Sequence, residues 1–189
     1  MSGAGPHVLK IPLKRRVVLD LYALKRAIEA RLHELKYLFW ECTLRCNLSC
    51  RHCGSDCQVD GRAVDMPLKD FLRVLDGIRP HVNPHKTIIA LTGGEPLMRP
   101  DLAEAGKEMY RRGFPWGMVT NGYAMTEGKF AHLLSSGLRS ITISLDGLEG
   151  AHDWFRGRDG SFDRALRAIE MAAKAQTGGL VFDVVTCTH

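Results

Sequence analysis

Five of the six cysteines in this chain fall in one run, ECTLRCNLSCRHCGSDC, from Glu41 to Cys57, at positions 42, 46, 50, 53 and 57. Thiols this close invite three readings. On a helix all five would share one face and form a buried stripe, but Asn47, Ser49, Gly54, Ser55 and Asp56 are turn and cap formers that oppose a continuous helix. Cys50-x2-Cys53 has the spacing of a structural zinc pair, although no second pair follows downstream. The third reading is an iron–sulfur cluster, whose natural ligands are thiolates on a compact run: Cys46-x3-Cys50-x2-Cys53. Three ligands leave one iron of a four-iron cluster open. By analogy with zinc sites, an open position marks catalysis rather than structure. Cys42 or Cys57 could close it.

The elements that must position these thiols follow from the hydrophobic pattern. KYLFWE (36–41), KTIIALT (86–92), PWGMVT (115–120), RSITISL (139–145) and LVFDVVTC (180–187) read as strands. Between them, residues 66–81, 100–112, 126–136 and 161–176 read as helices, with Pro67 in the first turn of one and glycines closing others. The alternation predicts an α/β fold with a parallel sheet. Polar and glycine-rich residues come just after each strand: the cysteine run, Gly93-Gly94-Glu95, Thr120-Asn121-Gly122 and Ser144 to Asp146. A parallel sheet gathers such segments at the carboxyl ends of its strands. Upstream, Leu21, Leu24, Ile28, Leu32 and Leu35 recur at helical spacing, so an amphipathic helix is expected over 20–35, capped by Asp20, behind a flexible lead at 1–16.

Cys46-Asn-Leu-Ser-Cys50-Arg-His-Cys53 resembles the CxxxCxxC motif of radical S-adenosylmethionine (radical SAM) enzymes. TGGEP (92–96) resembles that superfamily's GGE motif, and ISLDG (143–147) with HDWFRGRDGSF (152–162) resembles its peptide- and protein-modifying branch. The longer phrase LFWECTLRCNLSCRHCGSDC is similar to a subgroup linked to small lipoproteins. The resemblance runs from about Leu38 to the end of the chain. It implies a partial (β/α) barrel of the TIM type, here incomplete at about five strands, where the family has six βα units. It implies two domains: a basic lead and helix at 1–35, and a core domain at 36–189. It also implies a 4Fe-4S cluster on Cys46, Cys50 and Cys53. The open iron would chelate S-adenosylmethionine, whose reductive cleavage would give a 5′-deoxyadenosyl radical that abstracts hydrogen from a substrate. Gly93, Gly94 and Glu95 would meet the methionine ammonium. Ser144 would bond the ribose or carboxylate end, Arg156 would pair with the carboxylate, and the His52 ring would sit beside the adenine. Asn121 and Asp146 read as turn residues. Cys187 falls in the last expected strand and reads as a core residue. The resemblance further implies a peptide, protein or small-molecule substrate, a one-electron reductant, and a chain truncated at its C-terminal end.

Composition bounds these readings. The net charge of +5 sits in the lead: eight Lys or Arg face three acids through Lys36, and eighteen face eighteen after it. A nucleic-acid protein would spread its excess along a binding face, so no nucleic-acid partner is expected. No apolar run has the length of a membrane span or a signal peptide, so no membrane is expected and the cytoplasm is the expected location. A reducing compartment disfavours disulfides and favours metal or redox chemistry for clustered thiols. The rivals to an enzyme are an electron-transfer module with a closed cluster, and a zinc-stabilised interaction domain.

Overall fold

A computed structural model describes residues 11–55, 57 and 64–187. The chain divides into two compact units, Met1–Leu35 and Lys36–His189. The first is the helix α1, Leu13–Leu32. It starts earlier than the leucine spacing predicts, because Pro12 fixes its φ at −56° and stands at the N-cap. Asp20 therefore lies inside the helix and caps nothing. No residue of α1 is buried within the structure, and its ion pairs, Lys25 and Arg26 with Glu29, are local surface contacts. Residues 1–10 of the expected lead lie outside the described residues.

The second unit runs β1 (Tyr37–Thr43), α2 (Leu68–Ile78), β2 (Ile88–Gly93), α3 (Leu102–Arg111), β3 (Trp116–Thr120), α4 (Glu127–Ser135), β4 (Leu138–Ser144), α5 (Glu149–Arg156), α6 (Ser161–Ala175) and β5 (Val181–Val185). The five strands form one sheet in chain order, every neighbouring pair parallel. Right-handed crossovers between strands taken in order place the helices on one face. The register gives that face its content: Trp40, Leu91, Met118, Ile141 and Phe182 stand in one row across the sheet. With Phe71 and Leu75 of α2, Ala105 and Met109 of α3, Leu133 of α4 and Ala165 and Ala168 of α6, these residues make the core. Trp40 stacks on Phe71 with ring centroids 3.8 Å apart, and the Trp116 indole N–H donates to the Ser136 carbonyl at 3.1 Å. The opposite face carries exposed residues, Phe39 at 67% and Val181 at 58%. The architecture is an open α/β sheet, the expected incomplete parallel barrel.

Two local expectations need correction. Residues 149–156 form a helix that the hydrophobic pattern did not mark, since eight residues ending at Gly157 are too few to establish a period. Cys187 is exposed rather than buried. The β4–β5 register ends at Val185, so Cys187 lies beyond the ladder, its backbone N–H donating to Asp146 Oδ1 at 2.9 Å.

Candidate functional site

The four polar segments do meet at the carboxyl ends of the strands. There a cavity of about 170 Å³ is lined by Cys46, Cys50, Cys53 and Cys57 from the loop after β1. Gly93 and Gly94 line it from the end of β2, Val119 to Asn121 from β3, and Ser144, Arg156 and His52 complete it. Eight of the nine residues that the sequence singles out therefore face one space. The ninth, Glu95, lies beneath it.

The cysteine loop has little regular structure of its own, and its neighbours hold it in place. Gly94 and Glu95 donate their backbone N–H groups to the carbonyls of Thr43 and Arg45, at 2.7 and 2.8 Å. A side chain at either glycine would run into these same carbonyl oxygens, and Gly93 has φ +107°. The glycines are thus required by the close approach of β1 to β2, whatever else they meet. On the other side the end of α5 grips the loop: Arg51 donates its backbone N–H to Phe155 O at 2.8 Å and its Nε–H to Trp154 O at 3.0 Å. Arg158 Nη1 donates to Asn47 O at 2.9 Å. His52 is exposed, its ring edge-on to Phe155 at 5.2 Å.

The structure separates the thiols. Cys42 is fully buried in the sheet core, donates to Thr92 O at 3.5 Å, and does not line the cavity. Burial pushes its thiol up to about 12. Cys57 lines the cavity, where burial, with the Cys53 and Cys46 thiolates adding to it, pushes its thiol up to about 11. Burial also raises Cys46 above the ordinary thiol value. Of the two further thiols considered from sequence, only Cys57 is placed to take part.

Glu95 is fully buried and heavily committed. Its Oε1 accepts from the Thr120 hydroxyl at 2.7 Å and from Leu97 N–H at 3.1 Å, and its Oε2 accepts from Asn121 N–H at 2.8 Å. Burial raises its pKa, opposed by these three donors and by the Arg156 charge. Three donors converging on the group fit the ionised carboxylate, which only accepts. Arg156, nine-tenths buried, directs Nη2 to Asp146 Oδ2 at 2.7 Å and Nη1 to Cys50 Sγ at 3.7 Å. Asp146 is more than a turn residue: it anchors Arg156, lies 3.6 Å from His52 Nε2, and receives the Cys187 N–H. His152 accepts the Asp146 backbone N–H on Nδ1 at 3.0 Å. Burial, then the Arg156 charge, lowers its pKa. Asn121 likewise does more than turn the chain, since its amide reaches Cys46 and Asn47. The available signal for Asn121 and Asp146 was their position, one and two residues past a strand on the edge that carries the cysteines.

The donor set fits an iron–sulfur cluster: Cys46, Cys50, Cys53 and Cys57 all line the one cavity. Among the described residues no three His, Cys, Asp or Glu side chains converge closely enough for a single metal ion. Beside the thiols, Arg156 Nε is buried with no hydrogen-bond partner among the described residues, a guanidinium N–H suited to an anionic group such as a carboxylate.

Known proteins resemble this chain in sequence and in fold. The family model described as Radical SAM superfamily matches residues 40–188. An AdoMet-dependent heme synthase of Methanosarcina barkeri is 33% identical over 141 residues, covering 74% of this chain and 40% of that protein. Among solved structures, anSMEcpe with bound AdoMet superposes with a TM-score of 0.65 at 23% identity, covering 80% of this chain and 43% of that one. Streptococcus suis SuiB bound to precursor peptide SuiA superposes at 0.63 with 18% identity, covering 96% and 40%. The chain spans about two-fifths of the length of these relatives. No helix among the described residues is long and apolar enough to cross a membrane.

Proposed function

The chain belongs to the radical SAM superfamily, which uses a 4Fe-4S cluster and S-adenosylmethionine, and from that premise we propose that Cys46, Cys50 and Cys53 hold the cluster of a hydrogen-abstracting enzyme. One observation carries the reading: these three thiols share a single cavity with Gly93, Gly94, Ser144, Arg156 and His52. When bound, the cluster and its cosubstrate supply a 5′-deoxyadenosyl radical, with the electron coming from an external reductant. The residues of this chain bind and orient them. Arg156, steadied by Asp146, offers the cosubstrate carboxylate its Nε–H, which has no partner among the described residues. Ser144 offers a hydroxyl from the end of β4, and His52 a ring at the exposed side of the cavity. Glu95, spent on three internal donors, acts on this site mainly through the loops it ties together.

The substrate is the finer part. The segments after β4 resemble the peptide-modifying branch, and a neighbour of similar fold is bound to a peptide. The relative of higher identity is named a heme synthase. At 33% against 18–23%, the tetrapyrrole class stands ahead of the peptide class.

A second reading has one observation in its favour: Cys57 lines the same cavity and could close the fourth iron. Anaerobic reconstitution with iron and sulfide, followed by electron paramagnetic resonance with and without S-adenosylmethionine, tests both. A four-iron signal that changes on cofactor addition, and is lost in Cys50→Ala, is the expected result. A signal indifferent to cofactor in the parent but responsive in Cys57→Ser would establish the closed cluster instead. Normal iron loading in Cys50→Ala would sink the ligand assignment.

A further inference from the structure

Asn121 follows the last residue of β3 and is buried at 8% exposure. Every polar group on its side chain is engaged. Oδ1 accepts from Tyr123 N–H at 2.9 Å. Nδ2 donates to Asn47 Oδ1 at 2.8 Å and lies 3.8 Å from Cys46 Sγ. The network fixes the orientation of the amide. Turned over, it would set its NH2 against the Tyr123 backbone N–H, a group that can only donate. Its backbone is fixed too, since the Asn121 N–H donates to Glu95 Oε2 at 2.8 Å. A chain of contacts therefore runs from Glu95 in the turn after β2, through the backbone of Asn121 at the end of β3, to a sulfur of the cysteine loop.

We propose that Asn121 is a positioning residue for the cluster: it holds Cys46 and Asn47 in place and donates an amide N–H to the Cys46 thiolate, which makes the bound cluster easier to reduce. The inference rests on the assignment of Cys46 as a cluster ligand. A hydrogen bond to a ligand sulfur withdraws negative charge from it and stabilises the more negative, reduced cluster, and such bonds are among the factors that set cluster potentials. The donor is neutral, buried and held on both sides, so its direction does not depend on the cofactor arriving.

The test is a redox titration of the anaerobically reconstituted chain, following the electron paramagnetic resonance of the reduced cluster. Asn121→Asp keeps the oxygen that accepts from Tyr123 and replaces the donor with an acceptor. Asn121→Ala removes both. Both variants are expected to bind iron as the parent does while their midpoint potential moves to more negative values, further for Asp because it adds charge. A parent-like potential and parent-like g values in both variants, at full iron content, would overturn the proposal. Should the Asn121 variants lose iron altogether, Asn47→Ala decides: it removes only the tether of the amide, and an unchanged spectrum and potential there would overturn the proposal equally. A parent chain that takes up no four-iron cluster would defeat the ligand assignment itself, and this inference with it. A parent with a cluster and variants with no shift would defeat only the role of Asn121.

Discussion

Replacing Glu95 with glutamine is the most informative single change, because it alters one atom at the centre of a buried network. In the parent, two oxygens serve three donors: Thr120 Oγ and Leu97 N–H on Oε1, and Asn121 N–H on Oε2. An amide has one acceptor oxygen. If it takes the Oε1 place, its NH2 faces the Asn121 N–H, and that buried donor is orphaned. If it takes the Oε2 place, the Leu97 N–H is orphaned and the Thr120 hydroxyl must turn away. An unmet buried donor costs about 1–3 kcal/mol, and the remaining bonds lose their charge assistance. Relief of the buried charge offsets part of this, since burial raises the Glu95 pKa. The net expectation is about 2 kcal/mol of destabilisation. For a domain of this size each kcal/mol moves the melting temperature by about 2–4 °C, so thermal unfolding of the cluster-free chain should fall by about 4–8 °C. Measuring without cluster confines the reading to the protein's own network. Glu95→Ala, which orphans all three donors, should fall further. A Glu95→Gln chain that melts with the parent would show that the carboxylate is not the hub described here.

Two more expectations concern α5. Asp153 accepts from Gly160 N–H, the Ser161 hydroxyl and Phe162 N–H at 2.6, 2.7 and 2.8 Å, serving as a remote cap for α6. Burial pulls its pKa up, but these donors outweigh it and hold the carboxyl below the ordinary value. Asp153→Ala should cost about 1–2 kcal/mol in chemical denaturation, and a cost near zero would remove the cap from the account. His152 has a lowered pKa, so the unfolded chain takes its proton first as pH falls below about 6.5. Stability should therefore drop from that point down to the lower folded value and level off beneath it. His152→Gln, whose side-chain oxygen can still accept the Asp146 N–H, should lose that slope below about pH 6.5. Identical slopes in parent and variant would show that His152 does not titrate as described.

The sheet was legible because parallel strands buried under helices are short apolar runs, and the three central runs are followed by Gly93-Gly94, Asn121-Gly122 and Asp146-Gly147. Cys46, Cys50 and Cys53 stood out because their spacing is itself the signal, and the structure brings them to one cavity. Cys42 and Cys57 were not separable by spacing. Cys42 belongs to β1 and points into the helix-covered core, while Cys57 sits past the loop against the cavity, and only the pleat of β1 decides between them. Glu95 illustrates another limit. Its type suits a cation, and nothing in the sequence announces that Thr120 and Asn121, twenty-five residues on, would consume its oxygens. Contacts between the ends of separate strands depend on register, which composition and periodicity leave open.

That network changes how the glycine–glycine–glutamate turn is understood. A loop with no regular structure must lose about 1–2 kcal/mol of backbone entropy for each residue fixed. Single hydrogen bonds return about 0.5–1.5 kcal/mol each, so the loop stays ordered only if many neighbours share the task. Here they do, from three directions: the turn after β2 through the carbonyls of Thr43 and Arg45, Asn121 through Cys46 and Asn47, and the end of α5 through Asn47 and Arg51. Glu95 joins the first two of these, and Asp146 with Arg156 joins β4 to the third. The motifs that would meet the cosubstrate thus also build the platform on which three thiols stand before any iron arrives. A substitution in them should disturb cluster and cosubstrate together, and assigning such a residue to cosubstrate binding requires showing that the cluster is unchanged.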